Sequence, residues 1–234
     1  MQTGFTLVEI AIVLVIIGLL LGGILKGQEM ITQARIKNVV NDFNGITAAY
    51  FAYQDRYKAV PGDDNNAATR WADPNPPGGA LNGSGNGAID VTNGRYMEPP
   101  PGSLPASPGP LTYESLNFWW HLRLAGFVAG ATSGAQAISK PVNAVGGIIG
   151  VQTGAPAPVS GSALTGLVMC SSNVPDKIAA AADAQVDDQR SNTGQMFGYL
   201  QAATENSPDI NTGHPAAPNY VESGNSQYVI CKKL

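Results

Sequence analysis

Apolar residues are distributed unevenly along this chain. From Phe5 to Leu25 the only charged residue is Glu9, and the only other polar side chain is Thr6. As a helix this run would be about 31 Å long at 1.5 Å per residue, which matches the hydrocarbon thickness of a bilayer. Residues 5–25 therefore read as a membrane-spanning helix. The pattern then turns one-sided: Ile36, Val39, Val40, Phe43, Ile46, Tyr50 and Tyr53 recur at helical spacing, with Lys37, Asn41, Asp42 and Asn44 on the other side. No strong breaker occurs before Tyr57-Lys58-Ala59-Val60-Pro61-Gly62. The pattern predicts one helix over 5–57, about 80 Å long, whose amphipathic part (26–57) needs a protein surface to cover its stripe.

The remainder, 58–234, reads as an α+β head domain. Residues 73–110 hold nine of the 17 prolines and eight glycines, which excludes regular structure and predicts a long surface loop. Thr112 to Ala125 predicts a short helix stopped at Gly126, with Leu116, Trp119, Trp120, Leu122 and Leu124 as its apolar face. Ile148 to Gln152, Leu164 to Cys170 and Gln227 to Cys231 are short apolar runs with the look of antiparallel strands. Asp176 to Asp188 is Ala-rich and charged, and predicts a helix with Pro175 at its first position.

Composition narrows the function. The chain has 234 residues, 44% hydrophobic and 13% charged, enough for one medium domain with an appended element. A net charge of −4 with only 13 scattered Lys and Arg leaves no basic footprint for nucleic acid. Catalysis has few candidates. His121 and His214 are the only histidines and neither sits in a metal or triad motif, while the Gly-rich runs lack the Lys-Ser/Thr of a phosphate loop. No enzyme is expected.

The N-terminal segment carries a more specific signal. A secretory signal peptide places its small-residue cleavage site after the apolar core, whereas here Gly4 precedes it. Gly4-Phe5-Thr6-Leu7-Val8-Glu9-Ile10 followed by an aliphatic helix resembles the processing site of type IV pilins and type II secretion pseudopilins. The resemblance implies a leader of residues 1–4, cut by a prepilin peptidase between Gly4 and Phe5, and methylation of the new Phe5 amine. It also gives Glu9 a role. A carboxylate in an apolar helix costs about 2.5 to 3.5 kcal/mol at mid-membrane, and the family's answer is pairing with the N-terminal amine of a neighbouring subunit, which sets the register of assembly. The alternative for Glu9 is simple snorkelling to the membrane surface. Two departures stand out. Met-Gln-Thr carries no basic residue, so either the start lies upstream of Met1 or the free amine supplies the inside charge, and no proline interrupts the helix before Pro61. Gly18, Gly22, Gly23 and Gly27 are the points where the helix could loosen or pack closely.

Cys170 and Cys231 fall at the ends of two predicted strands, and an even count in an exported domain favours a disulfide, as the resemblance also implies. It would close a loop of about sixty residues and stabilise the fold by roughly 4 kcal/mol in the chain-entropy model. Two reduced buried cysteines in a cytoplasmic protein are the competing reading. Asn82, Ser84, Asn86 and Asp90 partly resemble a calcium loop, to which Asp63 and Asp64 could add carboxylates if the fold joined the two loops. Three of these four loop positions are uncharged, so a flexible Gly-Asn turn is the preferred reading and calcium the weaker one, with no cofactor required.

The expectation is thus a pilin-like α+β subunit with a spine helix, an antiparallel-sheet head and a C-terminal disulfide, and no catalytic site. Its expected partners are identical or related pilin subunits, a prepilin peptidase, an inner-membrane assembly platform and the lipid bilayer. The head would lie in the periplasm before assembly and in a pilus or pseudopilus after it. The alternative is a monomeric, signal-anchored extracytoplasmic binding protein whose loop 73–110 captures a ligand.

Overall fold

The computed structural model describes residues 6–72, 80–89, 114–153, 166–201 and 219–234. Helix α1, Leu7–Tyr57, starts where Thr6 leaves the helical region and caps it: Thr6 Oγ1 accepts from the Glu9 N–H, and Glu9 Oε2 accepts from the Thr6 N–H. It ends where Lys58 takes a left-handed conformation and donates its N–H to the Gln54 carbonyl, just ahead of Val60-Pro61. At 51 residues the helix is about 77 Å long. Its two halves differ as the polarity pattern predicts. No described residue before Ile36 is buried, whereas Ile36, Val39, Phe43, Ile46, Ala49, Tyr50 and Tyr53 form a buried stripe on the head.

The head presents to this stripe one face of a four-stranded antiparallel sheet, together with two helices. The strands are β1 (Ile149–Thr153), β2 (Leu167–Pro175), β3 (Met196–Leu200) and β4 (Gln227–Lys233), in the order β1-β2-β4-β3. Ile149, Val151, Met169, Met196, Tyr228 and Ile230 join the α1 stripe in the main core. Side chains alternate across a strand, so Val168, Cys170, Phe197, Tyr199, Val229 and Cys231 lie on the other face as a second buried cluster. The Cys170–Cys231 disulfide joins residues directly opposite each other on β2 and β4, with their Cα atoms 4.0 Å apart.

A four-residue helix α2 (Ala67–Arg70) follows α1. Helix α3 (Glu114–Leu124) packs on α1 and β1, while α4 (Asp176–Val186) lies between α1 and the sheet. A 3-10 turn at Ala135–Ile138 completes the described elements.

Several boundaries differ from expectation for local reasons. β2 runs on to Pro175 because a bulge between Ser171 and Val174, with Asn173 at φ 59°, lets pairing with β4 resume. Pro175 consequently remains strand, paired with Gln227, and caps α4 rather than opening it. α4 stops at Val186, since Asp187 leaves helical geometry. β3 has no counterpart among the expected strands. The first part of the predicted 112–125 helix and residues 164 and 165 of the predicted strand lie outside the described residues, as do 73–79 and 90–110 of the predicted loop.

Candidate functional site

The N-terminal half of α1 is the candidate with the clearest chemistry. Leu7, Leu14, Leu19 and Leu25 are 87%, 64%, 73% and 67% exposed, and the most apolar window of the helix has no buried residue. In water such a surface would be strongly unfavourable, and its length and composition suit a membrane crossing. Glu9 lies on this bare helix. Its Oε2 accepts from the Thr6 N–H at 2.7 Å and from Thr6 Oγ1 at 2.7 Å, so the carboxylate is held at the positive end of the helix dipole. Gly4 and Phe5 lie outside the described residues. Where the helix leaves its apolar run, Lys26 and Glu29 pair at 2.8 Å, with both side chains exposed.

At the opposite end of α1 the fold joins the two loops that the sequence left separate. Asp63, 4% exposed, accepts from Ser84 Oγ (2.9 Å) and from the N–H groups of Gly85 (2.6 Å), Asn86 (3.1 Å) and Gly87 (2.7 Å). The loop thus wraps a carboxylate with donors, the arrangement of a backbone anion nest. The amide oxygens are engaged as well: Asn82 Oδ1 accepts from the Ala68 N–H of α2, and Asn86 Oδ1 from the Ala88 N–H within the loop. Asp90 lies outside the described residues. Glycine is required here by packing, since a Cβ on Gly83 would collide with the Gly62 carbonyl and the Asp63 backbone.

Asp64 anchors the same corner. It accepts from Tyr53 Oη (2.7 Å), the Asn66 N–H (2.9 Å) and the Arg70 guanidinium. Burial pushes its carboxyl upward, yet these hydrogen bonds outweigh burial and hold it below its ordinary value. Burial likewise pushes the Tyr53 phenol up. Arg70 lies 4.4 Å over the Tyr57 ring. Sequence periodicity alone does not reveal this network, because its members are 11 and 6 residues apart on different elements.

His121 is fully buried on α3 and bridges three segments. Its Nδ1 accepts from the Gly62 N–H at 2.9 Å, its Nε2 donates to the Leu81 carbonyl at 2.8 Å, and its ring stacks on Tyr53. Burial pushes its pKa down to about 4, so the imidazole is neutral at pH 7. Both ring nitrogens are taken up by backbone groups, which describes a structural clip and not a proton shuttle. His214 lies outside the described residues. Arg123 carries no sequence signal of its role: 7% exposed, it donates to the carbonyls of Gln136, Ala137 and Ser139 and so ties the 3-10 turn to α3.

No curated protein matches this chain, and neither does any solved structure. Residues 1–25, however, match the family model of the prokaryotic N-terminal methylation motif, which points to a structural subunit and not an enzyme. With an exposed apolar helix and an α+β head behind it, the chain carries the prepilin-type segment that is the hallmark of type IV pilins and pseudopilins.

Proposed function

We propose that this protein is a filament subunit, cleaved between Gly4 and Phe5, methylated on the Phe5 amine and polymerised through α1 into a type IV pilus or secretion pseudopilus. The observation that carries the reading is the bare apolar half of α1, with Glu9 near its start, inside a segment that matches the methylation motif. Before assembly the bilayer covers that surface. Lipid already solvates the helix, so filament formation must be favoured by shape, small-residue contacts and polar pairing. A Cβ added at Gly18, Gly22, Gly23 or Gly27 would meet nothing within 4 Å, which leaves room for a neighbouring helix to approach.

Glu9 supplies the polar pairing. Its carboxylate is held at the helix start by Thr6, so it is oriented before assembly, and the amine freed by cleavage is the counter-ion available in an apolar filament core. The other partners are a prepilin peptidase and an inner-membrane assembly platform, with the head on the periplasmic side.

Intact mass and N-terminal sequencing of membrane-extracted protein from cells with a prepilin peptidase test the first step. Loss of Met-Gln-Thr-Gly with one added methyl group on Phe5 is expected, and an uncut Met1 would remove the reading. Glu9→Ala tests the second step: membrane insertion should persist while surface filaments disappear. Normal filaments built from that variant would end the register role of Glu9.

A further inference from the structure

The C-terminal end of α1, farthest from its apolar half, borders a cleft of about 460 Å³, a size typical of small-molecule sites, roughly 300 to 1,000 Å³. Gln54 and Lys58 come from successive turns at the end of α1, and Ala59 and Val60 continue that wall past its cap. Asp63, Asp64 and Asn65 form another side, which the loop meets with Gly85 and Gly87. The rim is open at Lys58, Asn65, Gly85 and Gly87, which are all exposed. Every one of these residues belongs to a single chain, so the cleft does not depend on filament assembly.

Several polar atoms here have hydrogen-bonding capacity to spare. Gln54 Nε2 donates to Tyr50 Oη at 2.8 Å, while its Oε1 has no partner among the described residues. The Asn65 amide makes no hydrogen bond among the described residues and lies over Gly85, where a Cβ would come within 2.8 Å of its Nδ2. Asp63 Oδ1 takes three donors, but Oδ2 takes only the Gly87 N–H, although a carboxylate oxygen can accept two. Lys58 Nζ pairs with exposed Asp55 at 3.1 Å and has further donors to offer.

Charge and polarity narrow the class of ligand. An anion would meet two carboxylates and the negative pole of the α1 C-terminus. A cation would find little charge left to attract it: Arg70 neutralises Asp64, four donors wrap Asp63, and Lys58 adds a positive charge at the rim. An apolar ligand would strip water from Gln54, Asn65 and Asp63 and return no hydrogen bonds. A neutral polyol meets none of these objections, because each hydroxyl both donates and accepts, and Ala59 and Val60, partly exposed, offer an apolar surface to a C–H face. We propose that this cleft binds an uncharged saccharide, whose hydroxyls pair with Gln54, Asn65, Lys58 and the Asp63 carboxylate while one face of the ring lies on Ala59 and Val60.

The test applies the full chain, in micelles of a detergent without a sugar head group, to an array of immobilised neutral, sialylated and sulfated glycans. Neutral glycans should retain the protein and acidic ones should not. The soluble form of the best-retained neutral glycan, titrated into isotopically labelled protein, should shift the backbone amides of Gly85 and Gly87 and the side-chain amides of Gln54 and Asn65 in nuclear magnetic resonance spectra. Asn65→Ala should weaken that binding about five- to tenfold. Its urea midpoint should match that of the wild type, since the Asn65 amide holds nothing else in place, so weaker binding could not be ascribed to unfolding. Retention by no neutral glycan, retention confined to acidic glycans, or an unchanged affinity in Asn65→Ala would each overturn the proposal. The same amide shifts on addition of calcium chloride alone would also overturn it, by assigning the cleft to a cation.

Discussion

Replacing His121 by Gln should flatten the acid side of the stability profile. In the native protein the imidazole is neutral, with its Nδ1 accepting from Gly62 and its Nε2 donating to Leu81. A second proton would have to enter at Nδ1, where the lone pair already faces an N–H. Burial lowers the folded pKa from 6.5 to about 4, so the unfolded chain binds a proton more readily than the folded one. The sign follows from linkage: His121 contributes stability that is fully present above about pH 6.5 and is lost as pH falls toward and through 4. Between pH 7.5 and 4.5 the loss is about 2.5 kcal/mol, at 1.36 kcal/mol per pKa unit. Asp183 acts in the opposite direction, since its raised pKa makes its contribution decline as pH rises from 3.8 through about 6. The two slopes offset each other in the wild type, and only a difference between variants isolates His121. Urea unfolding in micelles, followed by the buried Trp119 and Trp120, gives that difference. The destabilisation by His121→Gln should shrink by about 2 to 3 kcal/mol on going from pH 7.5 to 4.5. A destabilisation equal at both values would show that His121 does not resist protonation, and would refute the neutral clip.

Reduction of the Cys170–Cys231 bond, or its replacement by two alanines, should lower unfolding free energy by roughly 4 kcal/mol for a closed loop of 61 residues; a urea experiment showing less than about 1 kcal/mol would assign the β2–β4 register to the sheet alone. Asp63→Ala should strip the acceptor from four donors at Ser84, Gly85, Asn86 and Gly87 and destabilise the head by about 3 kcal/mol. Amide exchange in residues 82–89 reads this directly, and unchanged protection there would show that the loop holds its shape without the carboxylate.

What can be read from the sequence follows the range of the interactions involved. α1 is legible almost to the residue because both signals that define it are local: an unbroken polarity pattern and the Lys58-Ala59-Val60-Pro61 stop. The disulfide is legible too, since two cysteines have one way to pair, although both lie inside β2 and β4 and not at the strand ends that the sequence pattern predicts. β3 escapes because Met196-Phe197-Gly198-Tyr199-Leu200 carries a glycine at its centre, and that glycine is there to admit Tyr220, more than twenty positions away. α3 looks amphipathic but is buried on nearly every side, with Asn117, His121 and Arg123 turned into protein. His121 and Arg123 find partners on the 60s and 80s loops and on the 3-10 turn, contacts that no helical period encodes. The Gly83-to-Gly87 run does signal a sharp turn, but its partner, Asp63, emerges only when the two loops meet.

The strand order β1-β2-β4-β3 means that β4, which follows β3 in the chain, inserts between β2 and β3. Until β4 is in place, β3 lacks the described strand it pairs with and β2 has only β1. A chain delivered N-terminus first would thus pass through a half-open state: α1 held in the bilayer, the β1–β2 hairpin formed, and a slot waiting between two unjoined halves. Filling that slot is a non-local and therefore slow step. It brings Cys231 beside Cys170 only at its end, so oxidation records completion of the sheet and separates finished head domains from those still folding.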